Sequence, residues 1–414
     1  MTLSRPVAAA CLAVVAALTL ALPAEAAGKG SPLQRTWDGE QARIYAPQAA
    51  GHGGRGVVVA VVDSWVDAAH PDFQGRVLAG ADCVGGCSAG PAPTDACTHG
   101  THVAGTVASS SFGVAPLATV LPVRVLSYDA RTRECVGRPE DVAAGIRWAS
   151  AHGARVINLS LGTDLPGIRS TTAIGPAVDA AAAAGVVVVF SAGNSTGPLT
   201  DTYGGQALIV AATGPSGRLA SYSQRGAAIS LAAPGGEPAT SGPCTGADCV
   251  TSLYPGGRYA VAAGTSMAAP HVSGVAALLL AQTPSRTRQQ VLVRLLSTAR
   301  PLAGAGAGVV DATAALGVVA MDPRRPVAVA PPAVGASGGA ASGGATGRSA
   351  EQAPLPVAVP TRPAKRAAVA VPAPAAAPAA RAASGAVSWP LAALAGALVG
   401  CTAVLVVAAI RNRR

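Results

Sequence analysis

Between residues 35 and 318 the chain alternates short apolar runs with longer stretches that read as helix. Residues 57–62, 120–126, 156–161 and 186–190 are apolar at nearly every position, as strands buried on both faces of a parallel sheet must be. Pro139, Glu140 and Asp141 mark a helix start, with proline in the first turn and acids at the positive end of the dipole. That helix is predicted to run to about His152, and another to end at Gly185. Residues 272–281 are apolar enough for a buried helix. The alternation predicts an α/β fold, with a mostly parallel central sheet and helices on both faces. About 280 residues is ample for one core of this class, and no second folded domain or internal repeat is visible.

The two ends of the chain follow other rules. Arg5, the apolar residues 7–22, and Ala24, Glu25 and Ala26 read as a secretory signal peptide over residues 1–26. Some ten residues then precede Trp37, which leaves no expectation of a folded pro-domain. Residues 319–388 are rich in Pro, Ala, Gly and Ser and read as a linker that cannot bury enough surface to fold. As a coil of roughly seventy residues its typical reach is about 50 Å. Residues 389–410 read as a transmembrane helix, uncharged from Leu391 to Ile410, with Trp389 at one interface. Residues 411–414 form a basic tail that would stay cytoplasmic, so the folded region is expected to be exported and to face outward on a single span.

Charge follows this division. The formal net charge is +10, yet residues 321–414 alone hold 10 Lys and Arg against 2 Asp and Glu. The basic excess therefore belongs to the tether, beside an anionic envelope surface, and no stacking motif or basic helix points to nucleic acid. Of the 8 cysteines, Cys11 lies in the signal peptide and Cys401 in the span. The other six suggest three disulfides, for which fifteen pairings exist. The pairing favoured is Cys83 with Cys87, Cys97 with Cys135, and Cys244 with Cys249, the last because it closes a short Gly-rich loop.

The chemistry begins at Gly264-Thr265-Ser266-Met267-Ala268-Ala269-Pro270-His271, which sets a serine behind a glycine turn at a helix start. Free N–H groups and the dipole favour negative charge there. A serine hydroxyl needs a neighbouring base, itself oriented by a third group. Asp63 ends an apolar run, and His99 opens His99-Gly100-Thr101-His102-Val103-Ala104-Gly105-Thr106. With His70-Pro71-Asp72-Phe73 and Ser191-Ala192-Gly193-Asn194 in the same order, residues 37–316 resemble the subtilisin-like serine proteases. The resemblance implies Ser266 as nucleophile, His99 as general base and then acid, and Asp63 as the group that fixes the imidazole. It implies Asn194 as an oxyanion donor beside the Ser266 N–H. Taken singly, Ser266 reads as an N-cap and Asn194 as a turn residue; only the joint pattern favours catalysis.

His99 and His102 lie three apart with no acid nearby, unlike the four-residue spacing and glutamate of a zinc protease helix. No metal is therefore assigned, and His102, His70 and His271 read as structural. The resemblance implies that peptide substrates add a strand along Ser160, Leu161 and Gly162, and along Glu134, Cys135, Val136 and Gly137. Ser191, Ala192 and Gly193 would line an uncharged pocket for the residue before the scissile bond. No cofactor is expected for the chemistry; structural calcium is common in the family, but no acid-rich loop assigns ligands. Two positions depart from the family pattern: Trp65 and Thr163 stand where glycine is usual. Trp65 either caps a subsite and narrows specificity, displaces the Asp63 loop, or packs harmlessly at the cleft rim. Signal peptide, protease domain, Pro-rich tether and anchor together resemble the mycosins of type VII secretion. The expected partners are thus protein or peptide substrates, the membrane and a secretion-system complex. The rival reading is a weakly active or inactive protease-fold scaffold in such a complex.

Overall fold

The computed structural model describes residues 34–318, apart from 162–170, 196–198, 200–202 and 239–243. The predicted signal peptide, linker, span and tail lie outside the described residues, among which no helix is long and apolar enough to cross a membrane.

The described residues open with two short helices, α1 (Trp37–Ala42) and α2 (Tyr45–Ala49), and enter the sheet at β1 (Val58–Asp63). After β2 (Ala81–Asp82) and β3 (Ser88–Ala89) come α3 (His99–Ala108), β4 (Thr119–Arg124) and a hairpin of β5 (Ser127–Asp129) and β6 (Glu134–Val136). Then follow α4 (Pro139–Ala151), β7 (Val156–Leu159), α5 (Thr171–Ala183), β8 (Val187–Ser191), β9 (Leu208–Thr213) and β10 (Leu231–Pro234). A second hairpin, β11 (Val250–Tyr254) and β12 (Arg258–Ala262), precedes α6 (Thr265–Gln282), α7 (Arg288–Ser297) and α8 (Ala312–Leu316).

Eight strands form one sheet in the order β10-β9-β8-β7-β1-β4-β2-β3, parallel except for the edge pair β2–β3. The apolar runs are strands for the reason their composition gives: both faces are covered. Val59 and Val61 of β1 pack into a core with Val103 and Val107 of α3 and Val272 and Val275 of α6. Ala60 and Val62 pack oppositely, with Val142 and Ile146 of α4 and Val178 of α5. Each fully buried Val, Leu or Ile contributes about 1.5–3 kcal/mol, so a strand apolar on one side only would lose half of this. Helix α6 is buried at all but three of its 18 residues, which places it inside the molecule and explains a sequence apolar all round. The third predicted strand run stops early, at Leu159, and the second at Arg124; the residues beyond them leave the sheet at its C-terminal edge.

The chain goes from β1 through α3 to β4 on one side, then through α4 to β7 on the other side of β1. Connections that diverge in this way open a crevice at the strands' C-terminal ends. Asp63, Arg124 and Ser160 all lie at that edge. Three disulfides join Cys83 to Cys87, Cys97 to Cys135, and Cys244 to Cys249, the pairs the spacing favours.

Candidate active site

Asp63 is the last residue of β1 and is fully buried. Its Oδ1 accepts from the Ser64 N–H at 2.7 Å and faces His99 Nδ1 at 2.8 Å. A carboxylate can only accept here, so Nδ1 carries the proton and Nε2 keeps its lone pair. His99 is the first residue of α3, and about a third of its side chain is exposed at the crevice. Burial works against its charge, but the negative charge of Asp63 and the hydrogen bond to it outweigh that cost, and the His99 pKa is raised.

The glycine after the histidine has a steric cause. A Cβ on Gly100 would lie 2.6 Å from the Ser64 carbonyl oxygen and 3.0 Å from that of Trp65. The helix start can thus press against the Asp63 loop, where the Gly100 N–H donates to Ser64 Oγ at 2.8 Å. Thr101 Oγ1 accepts from the Asp67 N–H at 3.0 Å and ties the same two segments. His102, one turn on, is buried, with the backbone of Val250 and Ala260 beside its ring. Burial, and then repulsion from His99, push its pKa down to about 4, so it stays neutral. His70 faces the Arg258 carbonyl at 2.9 Å, and His271 faces the Met267 carbonyl at 2.8 Å and Asp38 at 3.1 Å. Both serve packing between elements rather than the crevice.

Ser266 occupies the first turn of α6, behind Gly264 as N-cap. The helix contains Pro270, which has no N–H to give the carbonyl four residues earlier, that of Ser266. Ser160 Oγ supplies the missing donor at 2.7 Å. In return the Ser266 hydroxyl donates to the Ser160 carbonyl at 3.1 Å, where it rests instead of on His99. Behind this reciprocal pair, Asn158 Nδ2 donates to Ser160 Oγ at 2.9 Å, and Ser273 Oγ donates to Asn158 Oδ1 at 2.8 Å. The end of β7 is thereby locked to α6 by buried polar groups.

Asn194 Oδ1 accepts from the Thr265 N–H at 2.9 Å and from Thr265 Oγ1 at 3.0 Å. Thr265 Oγ1 also accepts from the Gly193 N–H at 3.0 Å. With its oxygen held by these donors, the Asn194 amide has a fixed orientation, its NH2 turned to the other end. Sequence reasoning passed over Thr265, Ser64 and Asn158, whose signal is a hydroxyl or amide group near the candidate residues in the chain.

Of the six predicted substrate-binding residues, Ser160 and Leu161 follow β7 and are buried, and Ser191, Ala192 and Gly193 close β8 without a charged group. Gly193 has φ of 105°, which suits glycine at that turn. Gly162 and Thr163 lie outside the described residues. Glu134, Cys135 and Val136 pair with β5 across the hairpin. Trp65 leaves the Asp63–His99 bond intact; its indole N–H donates to the Asp95 carbonyl at 2.9 Å.

Among the described residues the one grouping spaced for a cation is Cys244, Asp248 and Cys249. The two sulfurs are bonded to each other, and Asp248 accepts from the Thr245 N–H and hydroxyl at 2.7 and 2.9 Å. These residues do not fit calcium, which takes six to eight oxygen ligands.

Comparison with known proteins bears on the family and the fold. The model of the subtilase family matches residues 54–318. Subtilisin BL of Lederbergia lenta is 39% identical over 286 residues, covering 66% of this chain and 96% of that protein. Subtilisin E of Bacillus subtilis (strain 168) is 37% identical over 294 residues, covering 66% of this chain and 69% of that protein. Among solved structures, a protease from Pseudoalteromonas arctica superposes with a TM-score of 0.57 at 32% identity, over 66% of this chain and 93% of that one. A cold-adapted subtilisin-like serine proteinase gives 0.53 at 30% identity, over 63% and 90%. Family match, identity and sheet agree, and the chain belongs to the subtilase family as a subtilisin-like serine endopeptidase.

Proposed function

We propose that Asp63, His99 and Ser266 form the catalytic triad of an exported, membrane-anchored endopeptidase that works through an acyl-enzyme on Ser266. The observation that carries this reading is the 2.8 Å contact of His99 Nδ1 with Asp63 at the end of β1. Ser266 Oγ attacks the scissile carbonyl carbon while its proton passes to His99 Nε2, and charge gathers on the former carbonyl oxygen. The Ser266 N–H at the start of α6 and the Asn194 amide stabilise that oxyanion. The intermediate collapses, the amine leaves with the proton from His99, and water repeats the sequence to release the acid.

An extended polypeptide adds along Ser160, Leu161 and Gly162, with an uncharged side chain against Ser191, Ala192 and Gly193. A substrate N–H that takes the Ser160 carbonyl displaces the Ser266 hydroxyl resting there and releases it toward His99. No cofactor enters the chemistry. Export and anchoring rest on the signal peptide at 1–26, the linker at 319–388, the span at 389–410 and the tail at 411–414. The same order of segments supports a place beside an envelope secretion complex, as in the mycosins.

The test is labelling of the full-length protein in detergent with a serine-directed fluorophosphonate. Label that is lost in both Ser266→Ala and His99→Ala is the expected result. A folded wild-type protein that takes no label refutes the triad and favours the scaffold reading.

A further inference from the structure

Trp65 belongs to a polar cluster that the chemistry above does not use. Its centre is Arg124, the last residue of β4 and largely buried. In the parallel register Arg124 stands level with Asp63 of β1 on one side and Asp82 of β2 on the other. Its Nη1 donates to both oxygens of Asp82 at 3.1 Å, and its Nη2 donates to Asp95 Oδ2 at 2.9 Å.

Asp95 passes this anchorage on. Its Oδ1 accepts from the Cys97 N–H at 2.8 Å, two residues before His99. Its Oδ2 also accepts from the Tyr128 N–H of β5 at 3.1 Å, and its backbone carbonyl accepts the Trp65 indole N–H. The segment that delivers His99 is therefore gripped by a strand end, by the loop that carries Asp63, and by the β5–β6 hairpin. The Cys97–Cys135 disulfide closes the same hairpin onto the same segment. Ser64 and Thr101 tie helix and loop on the inner side, and Trp65 and Asp95 tie them on the outer side.

We propose that Trp65, Asp95 and Arg124 are positioning residues that set the His99 imidazole against Asp63 and couple it to the substrate-side hairpin. The indole is a peg between the two loops that bring the acid and the base together. A side chain without a donor at 65 has no group to reach the Asp95 carbonyl, so this anchorage depends on the indole. The inference rests on the triad reading.

The test uses the full-length protein and the variants Trp65→Phe, Asp95→Asn and Asp95→Ala, well below their melting temperatures. Trp65→Phe keeps an aromatic ring and removes only the donor; Asp95→Asn keeps an oxygen for the Cys97 N–H. A misplacement of about an ångström costs on the order of a hundredfold in rate. Trp65→Phe and Asp95→Ala are therefore expected to lower kcat by about tenfold or more, with KM changed by less than about threefold. The low-field NMR resonance of the His99 Nδ1–H should shift or broaden in both, and Asp95→Asn should retain more activity than Asp95→Ala. Variants that lose only melting temperature, with wild-type kcat and an unmoved resonance, would show a merely structural cluster and overturn the proposal. A wild-type protein not labelled at Ser266 overturns the triad reading first and this proposal with it.

Discussion

His99 and His102 show how much one turn of helix changes a side chain. Both lie against the core around α3, His99 only in part, and burial disfavours the charged form of each. His99 has a carboxylate against Nδ1, and its pKa ends above the ordinary 6.5; His102 has none and falls to about 4. The sign for stability follows: protonation of His99 favours the folded state fully below about pH 6.5, and that contribution is lost as pH rises through the raised value. For catalysis the neutral ring is required, so the acid limb of kcat/KM should have its midpoint above pH 6.5. Asp63→Asn should move that limb to lower pH, because burial then acts unopposed, and should lower kcat by roughly ten-thousandfold, the order seen for such a change in a serine protease triad. A pH–rate profile of Asp63→Asn whose limb stays in place would show that Asp63 does not set the His99 proton affinity.

Two helix starts make the site at the level of elements, and each depends on one residue that disturbs regular helix. At α6, Pro270 withholds an N–H from the Ser266 carbonyl, and the vacancy draws in Ser160 from the end of β7. At α3, Gly100 lets the first turn rest on the Asp63 loop. Gly100→Ala places a Cβ 2.6 Å from the Ser64 carbonyl oxygen, inside any normal contact, so helix and loop must part. The expected result is a folded enzyme with kcat reduced on the order of a hundredfold, measured together with circular dichroism to confirm the fold. An alanine variant of full activity would mean that the helix start is not held against the loop during catalysis. Helix α1 adds a third constraint: Asp38 meets His271 on α6 at 3.1 Å, and the Trp37 indole donates to the Cys249 carbonyl at 3.0 Å.

For the whole molecule, the divergence of connections on either side of β1 brings Asp63, Arg124 and Ser160 to one edge, where the proposed triad would act. The tether and span proposed for residues 319–410 add a prediction at this scale. A chain ending after residue 388 should appear in the soluble fraction with its fluorophosphonate labelling intact, while the full chain stays in carbonate-washed membranes. A truncated chain that remains in the membrane would place the anchor elsewhere. By itself the sequence determined the fold class, because strands covered on both faces must be apolar throughout, and it marked Asp63, His99 and Ser266 through motifs whose spacing is local. The run boundaries at Leu159 and Arg124 were legible only approximately, since Val125, Leu126 and Leu161 continue the apolar runs past the strand ends and stay buried in the core. Only the tertiary structure decided that Thr265 orients Asn194, that Ser160 answers Pro270, and that Trp65 reaches Asp95 beside Arg124. Those are contacts between single polar atoms brought together by the sheet from positions 30 to 106 residues apart, and no periodicity along the chain encodes them.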